Sequence, residues 1–76
     1  MQILSPSSKA DQWVDSIFSA KAVQAGGVVR RHRDWVAREI GRTRFEDEVR
    51  KRGFHLIETG HQLVVICNNG AIRLVF

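Results

Sequence analysis

The stretch FHLIETGHQLVVICNNGAIRLVF, from Phe54 to Phe76, restricts the fold more than any other part of the chain. Its three β-prone runs are separated by Gly60-His61 and Asn69-Gly70. Such dipeptides supply the positive φ of type II′ and type I′ hairpin turns. With two-residue turns the register follows by counting: Phe54 faces Cys67 and Ile72, Leu56 faces Val65 and Leu74, and Glu58 faces Leu63 and Phe76. All of these positions except Glu58 are apolar, so they form the face that helices cover. The opposite face carries His55, Ile57, Val64, Ile66, Arg73 and Val75. It is too apolar to be simply wet, and the first helix, a second protomer or a partner is expected to cover part of it.

Upstream, Ser8 and Asp11 read as a capping box in front of Trp13, Val14, Ile17 and Phe18, an apolar stripe at helical spacing. A first helix is predicted from about Lys9 to near Ala22. Gly26-Gly27 breaks the chain, and Val28 to Arg31 reads as a short extended piece. Asp34 is predicted to cap a helical turn through Ile40, and Thr43 with Glu46 to form a second capping box for a helix ending at Gly53. On that helix Glu46 with Arg50, Asp47 with Lys51 and Glu48 with Arg52 are acid-before-base pairs four residues apart, which makes EDEVRKR a self-neutralising face. The expected fold is α+β: an N-terminal helix, a short strand, a helical turn plus helix, then a three-stranded antiparallel β-meander with helices packed on the sheet. One domain spans residues 1–76, with residues 1–7 as a frayed leader around Pro6. A chain of 76 residues has little core to spare, so a homodimer through the sheet is among the expected assemblies.

The charge is unevenly placed. Between Arg30 and Arg44, six arginines stand against Asp34 and Glu39, and six cations less two anions equals the whole formal charge of +4. Arg30, Arg31, Arg33, Arg38, Arg42 and Arg44 suit phosphate oxygens, which arginine meets bidentately. Binding to a nucleic-acid backbone without strong sequence specificity is therefore the leading functional expectation. The competing reading is a solvated basic surface, or salt bridges to Asp11, Asp15 or Glu58. Trp35, beside the arginines, reads as core in preference to a base-stacking platform.

A second class of function uses the sheet. Ile57, Val64, Ile66 and Val75 with Arg73 would form the apolar centre and basic rim of a protein interface facing an acidic protein surface, as in a regulatory or inhibitor module of anti-CRISPR type. No aromatic residue falls on that face, which disfavours base stacking on the sheet. Cofactors and metals are not expected. Gly26-Gly27 lacks the spacing of a phosphate or dinucleotide loop, and the register sends His55, His61 and Cys67 in different directions. Cys67 is a lone cysteine that reads as a small buried hydrophobe, consistent with a reducing compartment. The start of the chain has no signal-peptide pattern and the longest apolar run, Leu63 to Cys67, is far too short for a membrane helix, so a cytoplasmic protein without membrane contact is expected.

Two resemblances bear on these expectations. RKRGFHLIETGHQLVV, within residues 43–76, resembles the HicA-family mRNA interferase toxins, in which a helix leads through Gly-Phe into a hairpin whose turn carries a histidine. Gly53-Phe54 and Gly60-His61 match, which makes His61 the one catalytic candidate and implies a ribonuclease, although the Ser or Thr that the family places between glycine and histidine is missing. IFSAKAVQAGGVVRRHRDWVAREIG and RKRGFHLIETGHQLVVICN are similar to short bacterial chains often labelled N-(5′-phosphoribosyl)anthranilate isomerase. The genuine enzyme is a (β/α)₈ barrel of roughly 200 residues or more. That likeness therefore transfers neither the activity nor any functional residue. On balance the sequence favours a binding protein over an enzyme.

Overall fold

Ser8 opens the first helix as its sequence suggests. The Ser8 hydroxyl accepts from the Asp11 amide at 3.0 Å, and the Asp11 carboxylate accepts from the Ser8 amide at 3.2 Å. The computed structural model describes residues 8–76, so the leader over residues 1–7 lies outside the described residues. Helix α1 covers Lys9–Phe18 and buries Val14, Ile17 and Phe18. It stops short of Ala22: Ala20 is extended and a separate short helix, α2, covers Lys21–Gln24. The break has a packing reason. Val23 lies five residues beyond Phe18, roughly 140° round an unbroken helix. Interrupting the helix lets Val23 turn into the core, where it is buried.

Gly26 and Gly27 then bring the chain back against α2. The Gly27 amide donates to the Ala22 carbonyl at 2.7 Å, and a β-carbon at Gly27 would stand 2.9 Å from that oxygen. Strand β1, Val28–His32, follows and leads directly into α3, Arg33–Glu39. The cap of α3 is His32, whose Nδ1 accepts from the Asp34 amide at 3.1 Å, and Asp34 itself lies inside the helix. Gly41, at φ 98°, turns the chain between α3 and α4, Arg42–Lys51. Thr43 therefore sits within the first turn of α4 and makes no capping box with Glu46. Ile40 and Gly41 both donate to the Val36 carbonyl, which closes α3 so tightly that α4 starts at once.

The hairpin β2, His55–Thr59, and β3, Gln62–Ile66, forms as predicted. Gly60 adopts φ 58° in the turn, and the register pairs Leu56 with Val65 and Glu58 with Leu63. The α+β architecture, with helices packed on a three-stranded antiparallel sheet, is the one the sequence implies. The third strand is not. The sheet order is β1-β3-β2, with Val29 opposite Val65 and Arg31 opposite Leu63. A strand has two edges, and those of β3 are taken by β2 and β1. The Cys67 amide extends the β1 side by donating to the Gly27 carbonyl at 2.9 Å. Asn69-Gly70 accordingly makes no type I′ turn, since neither residue has positive φ. The Asn68 side chain holds the chain in another direction, donating to the Gly26 carbonyl and accepting from the Gly70 amide at 2.9 Å. Residues 71–76 pair with no strand.

The core joins Val14, Ile17 and Phe18 of α1, Val23, Val36, Ile40, Phe45 and Val49 to Val29, Leu63, Val65 and Cys67. These four last residues share one face of the sheet, so all the helices lie on that side. The opposite face, with Val28, Ile57, Val64 and Ile66, has no covering element among the described residues: the first helix does not reach it, and Val28 and Ile57 are exposed. No helix among the described residues is long and apolar enough to cross a membrane.

Candidate nucleic-acid interface at the first strand

The six arginines do not form one strip. Gly41 separates Arg38 on α3 from Arg42 and Arg44 on α4, while Arg30 and Arg31 belong to β1 and Arg33 opens α3. Their surroundings divide them further. Arg33 donates to Glu58 at 3.2 Å, and its Nε lies 3.7 Å from Asp34. Arg42 donates to Glu46 at 2.7 Å and to Glu58 at 3.0 Å. Arg44 pairs with Asp11 and lies 3.6 Å from Glu48. Arg38 donates to Glu39 at 3.1 Å, whose other carboxylate oxygen accepts from the Trp13 indole at 3.3 Å. Salt bridges to Asp11 and Glu58, the competing reading of the sequence, are thus what the structure holds at these positions.

The carboxylates record the same pairing. Arg42 and then Arg33 hold Glu58 below the usual carboxylate range, Arg44 does so for Asp11, and Arg38 for Glu39. Conversely, the hydrogen bonds from Arg42 to Glu46 and Glu58 strengthen the protonated guanidinium of Arg42. On α4 only Glu48 with Arg52 keeps the expected four-residue pairing. Glu46 turns back to Arg42, Asp47 meets Arg50 at 2.9 Å, and Lys51 meets Glu48 at 2.9 Å.

Arg30 and Arg31 differ from the other four. Neither has a carboxylate partner among the described residues, and the Arg31 guanidinium donates only to the Arg30 carbonyl at 2.7 Å. Both are exposed. With His32 and Gln62 they line a shallow depression of about 310 Å³. Register accounts for Arg30 and His32, which alternate onto the open sheet face opposite Val64 and Gln62, whereas Arg31 lies opposite Leu63 on the other face and joins them through its guanidinium on the Arg30 carbonyl. Next to them the His61 ring stacks on His32, with centroids 5.9 Å apart and planes 17° apart. The Arg33 amide, donating to the His61 carbonyl at 2.8 Å, ties the hairpin turn to the start of α3. Two cations and two imidazoles thus share one end of the sheet.

That geometry offers charge and hydrogen bonds to phosphate oxygens but, among the described residues, gives His61 no carboxylate to orient it. Glu58, the nearest acid in sequence, is occupied by Arg33 and Arg42. His55 stands apart from His61, at the far end of β2, where its Nε2 meets the Gly70 carbonyl at 2.6 Å. Cys67 is buried in the core, and burial pushes its thiol pKa up. These three residues do not converge on a common point. Trp35 packs edge-on against Trp13, with centroids 4.9 Å apart, and is half-buried against the core.

Of the sheet residues considered for a protein interface, Ile57, Val64 and Ile66 share the open face, whereas Arg73 and Val75 lie in the unpaired segment beyond Gly70. The proximity of His32 to His61 is not legible in the sequence, because the pairing of β1 with β3 is a contact between distant segments. The alternation in VVRRH, with Val29 buried and Arg30 exposed, is its one local signal. No family model matches the chain, and no curated protein or solved structure is significantly similar to it.

Proposed function

We propose that this protein binds the phosphate backbone of a nucleic acid at the β1 end of its sheet, with Arg30 and Arg31 as the principal contacts. The observation that supports this is the division of the arginines. Arg33, Arg38, Arg42 and Arg44 are engaged by carboxylates, while Arg30 and Arg31 are exposed and free of acids beside His32, His61 and Gln62. Arginine forks recognise phosphate through paired N–H groups and carry no sequence information in doing so. Binding is therefore sequence-tolerant, and the paired arginines act in the fold instead of in the ligand. The site is one of binding and not of catalysis, since no acid among the described residues orients His61 as an acid or base.

The test is a titration of labelled RNA and DNA at several salt concentrations. Each phosphate neutralised contributes roughly 0.7 to 0.9 to the slope of log affinity against log salt. Arg30→Glu with Arg31→Glu should remove most binding and lower that slope by about 1.4 to 1.8. Lys21→Glu with Arg50→Glu makes the same change in net charge elsewhere and should leave the slope close to the parent's. Equal losses in the two variants, or no binding by the parent at low salt, would reject the assignment.

A second reading has its own observation. Val28 and Ile57 are 51% and 36% exposed on a face that no helix among the described residues covers, next to the half-buried Val64 and Ile66. An acidic protein with an apolar centre would fit this face, with Arg30 at its rim. Val28→Asp would abolish such an interaction and leave nucleic-acid binding intact.

A further inference from the structure

The segment from Ala71 to Phe76 has the pattern of a strand without a strand's neighbours. Ile72, Leu74 and Phe76 alternate with Arg73 and Val75, and all are exposed: Leu74 is 85% exposed and Val75 71%. Apolar, β-prone residues left in water are a template for pairing with another chain. The segment cannot join β3 in its own molecule, because both edges of β3 are occupied.

The same molecule leaves a sheet edge unpaired. Among the described residues β2 has β3 on one side only. Along its free side a groove of about 560 Å³ runs between β2 and α4. Val49, Phe54 and Leu56 give it an apolar floor, with Arg42, Glu46 and Arg50 along its α4 wall. Phe54 and Leu56 are only half-buried, although they lie on the face that the helices otherwise cover. A further strand in this groove would complete their burial.

We propose that this groove receives residues 71–76 of a second copy of the chain, in a closed dimer in which each copy donates its segment to the other. Ile72, Leu74 and Phe76 would face Phe54, Leu56 and Val49, while Arg73 and Val75 extend the open face beside Ile57. Three arguments favour a second copy. Among the described residues the chain carries an unpaired strand, and of its two free sheet edges, at β1 and at β2, the one at β2 borders an apolar groove; a two-fold arrangement seats that strand in that groove, making each contact twice. In its own molecule the segment starts at Gly70, held on His55 at the beginning of β2. From there residues 71–76 run on without pairing to any strand of the same copy among the described residues. Finally, burying Ile72, Leu74 and Phe76 twice over, with the exposed halves of Phe54 and Leu56 beneath them, removes on the order of 1,000 Å² from water, taking about 100 Å² for each aliphatic and 150 Å² for each aromatic side chain. That stands at the lower bound of about 1,000 Å² for a specific interface, so the dimer dissociates on dilution.

Sedimentation equilibrium or light scattering of the full chain tests the proposal, read beside hydrogen exchange of β2. The expected mass is twice the 8.7 kDa of the single chain, with the outward-pointing amides of β2 protected. Leu74→Asp, at a side chain that makes no contact within its own copy's core, should return the mass to that of one chain and expose those amides, with unchanged helix content. Val28→Asp, on the open face, should leave the dimer intact. A parent that is monomeric at every accessible concentration overturns the inference. So does a dimer that survives Leu74→Asp, one that Val28→Asp dissolves, or assembly that grows without closing at two copies. None of these readouts depends on nucleic acid, so the dimer and the proposed binding activity stand or fall separately.

Discussion

Replacing Glu48 with glutamine tests the charge network most directly. Its carboxylate accepts from Arg52 at 2.7 Å, meets Lys51 at 2.9 Å and lies 3.6 Å from Arg44. Its side chain is 11% exposed, against 29% for Arg52 and 63% for Lys51. The acid is thus buried while its cations still reach water. Breaking a fully buried pair costs about 3–5 kcal/mol and an exposed one about 0–1 kcal/mol. Glutamine retains an acceptor for one partner, which places Glu48→Gln at roughly 1.5–3 kcal/mol, the usual worth of hydrogen bonds to charged groups. In a domain of this size each kcal/mol shifts the melting temperature by about 4–8 °C, so a drop on the order of 10 °C is expected in a thermal melt at neutral pH.

The pH dependence supplies a second criterion for the same variant. Arg52 above all holds Glu48 below its ordinary value. Its stabilisation is therefore fully present above the unfolded carboxylate value of about 4.3 and is lost as pH falls through the lowered folded value. The gap between parent and variant should narrow below about pH 4. Equal melting temperatures at neutral pH, or a gap that persists unchanged in acid, would refute the reasoning. Arg52 also lies 4.1 Å over the Phe18 ring, so a double-mutant cycle with Arg52→Met separates the ion pair from that packing.

Two further outcomes follow from geometry already described. Asp11, Glu39 and Glu58 are each lowered by an arginine, so their contributions carry the same sign as that of Glu48. Urea denaturation followed from neutral to acid pH should show stability falling once the pH drops below about 4, and a flat profile would contradict these pairings. Gly27→Ala should destabilise the fold by about 1–3 kcal/mol, because its β-carbon would stand 2.9 Å from a backbone oxygen that cannot swing away. At Gly70 the nearest atom is the exposed Asn68 side chain at 3.0 Å, so chemical denaturation of Gly70→Ala should give nearly the parent's midpoint.

Local chemistry made the β2–β3 hairpin readable. Gly60 fixed the turn, and alternation from Leu56 to Val65 fixed the register, which the structure reproduces residue for residue. Asn69-Gly70 is as strong a local signal, yet no hairpin forms there. Hairpin formation also needs an open edge on β3, and whether that edge is open depends on β1, about thirty residues earlier in the chain. The capping residues show the same limit on a smaller scale. Ser8 caps α1 with an acid three residues on, as its pattern says, whereas the caps of α3 and α4 fall on His32 and Gly41 because close chain reversals place them there.

The arginines show why a site is harder to read than a hairpin. Segment by segment the charge outside residues 30–44 cancels, which suggests that the six arginines face a partner. In three dimensions Asp11, Glu46 and Glu58, each from a balanced segment, are spent on Arg44, Arg42 and Arg33. Balance along the sequence carries no information about balance in space.

Glu58 gives this a consequence of its own. One carboxylate near the end of β2 holds Arg33 and Arg42 together, so it occupies the two guanidiniums much as a phosphate would. Being part of the same molecule, it competes with any incoming anion at the high effective concentration of a tethered ligand. Under the proposed function a polyanion would meet Arg30 and Arg31 unopposed, but to recruit the next two it would have to displace Glu58, with Glu46 also holding Arg42 and Asp34 beside Arg33. The valence such a surface could offer is thus limited by competitors within the same molecule.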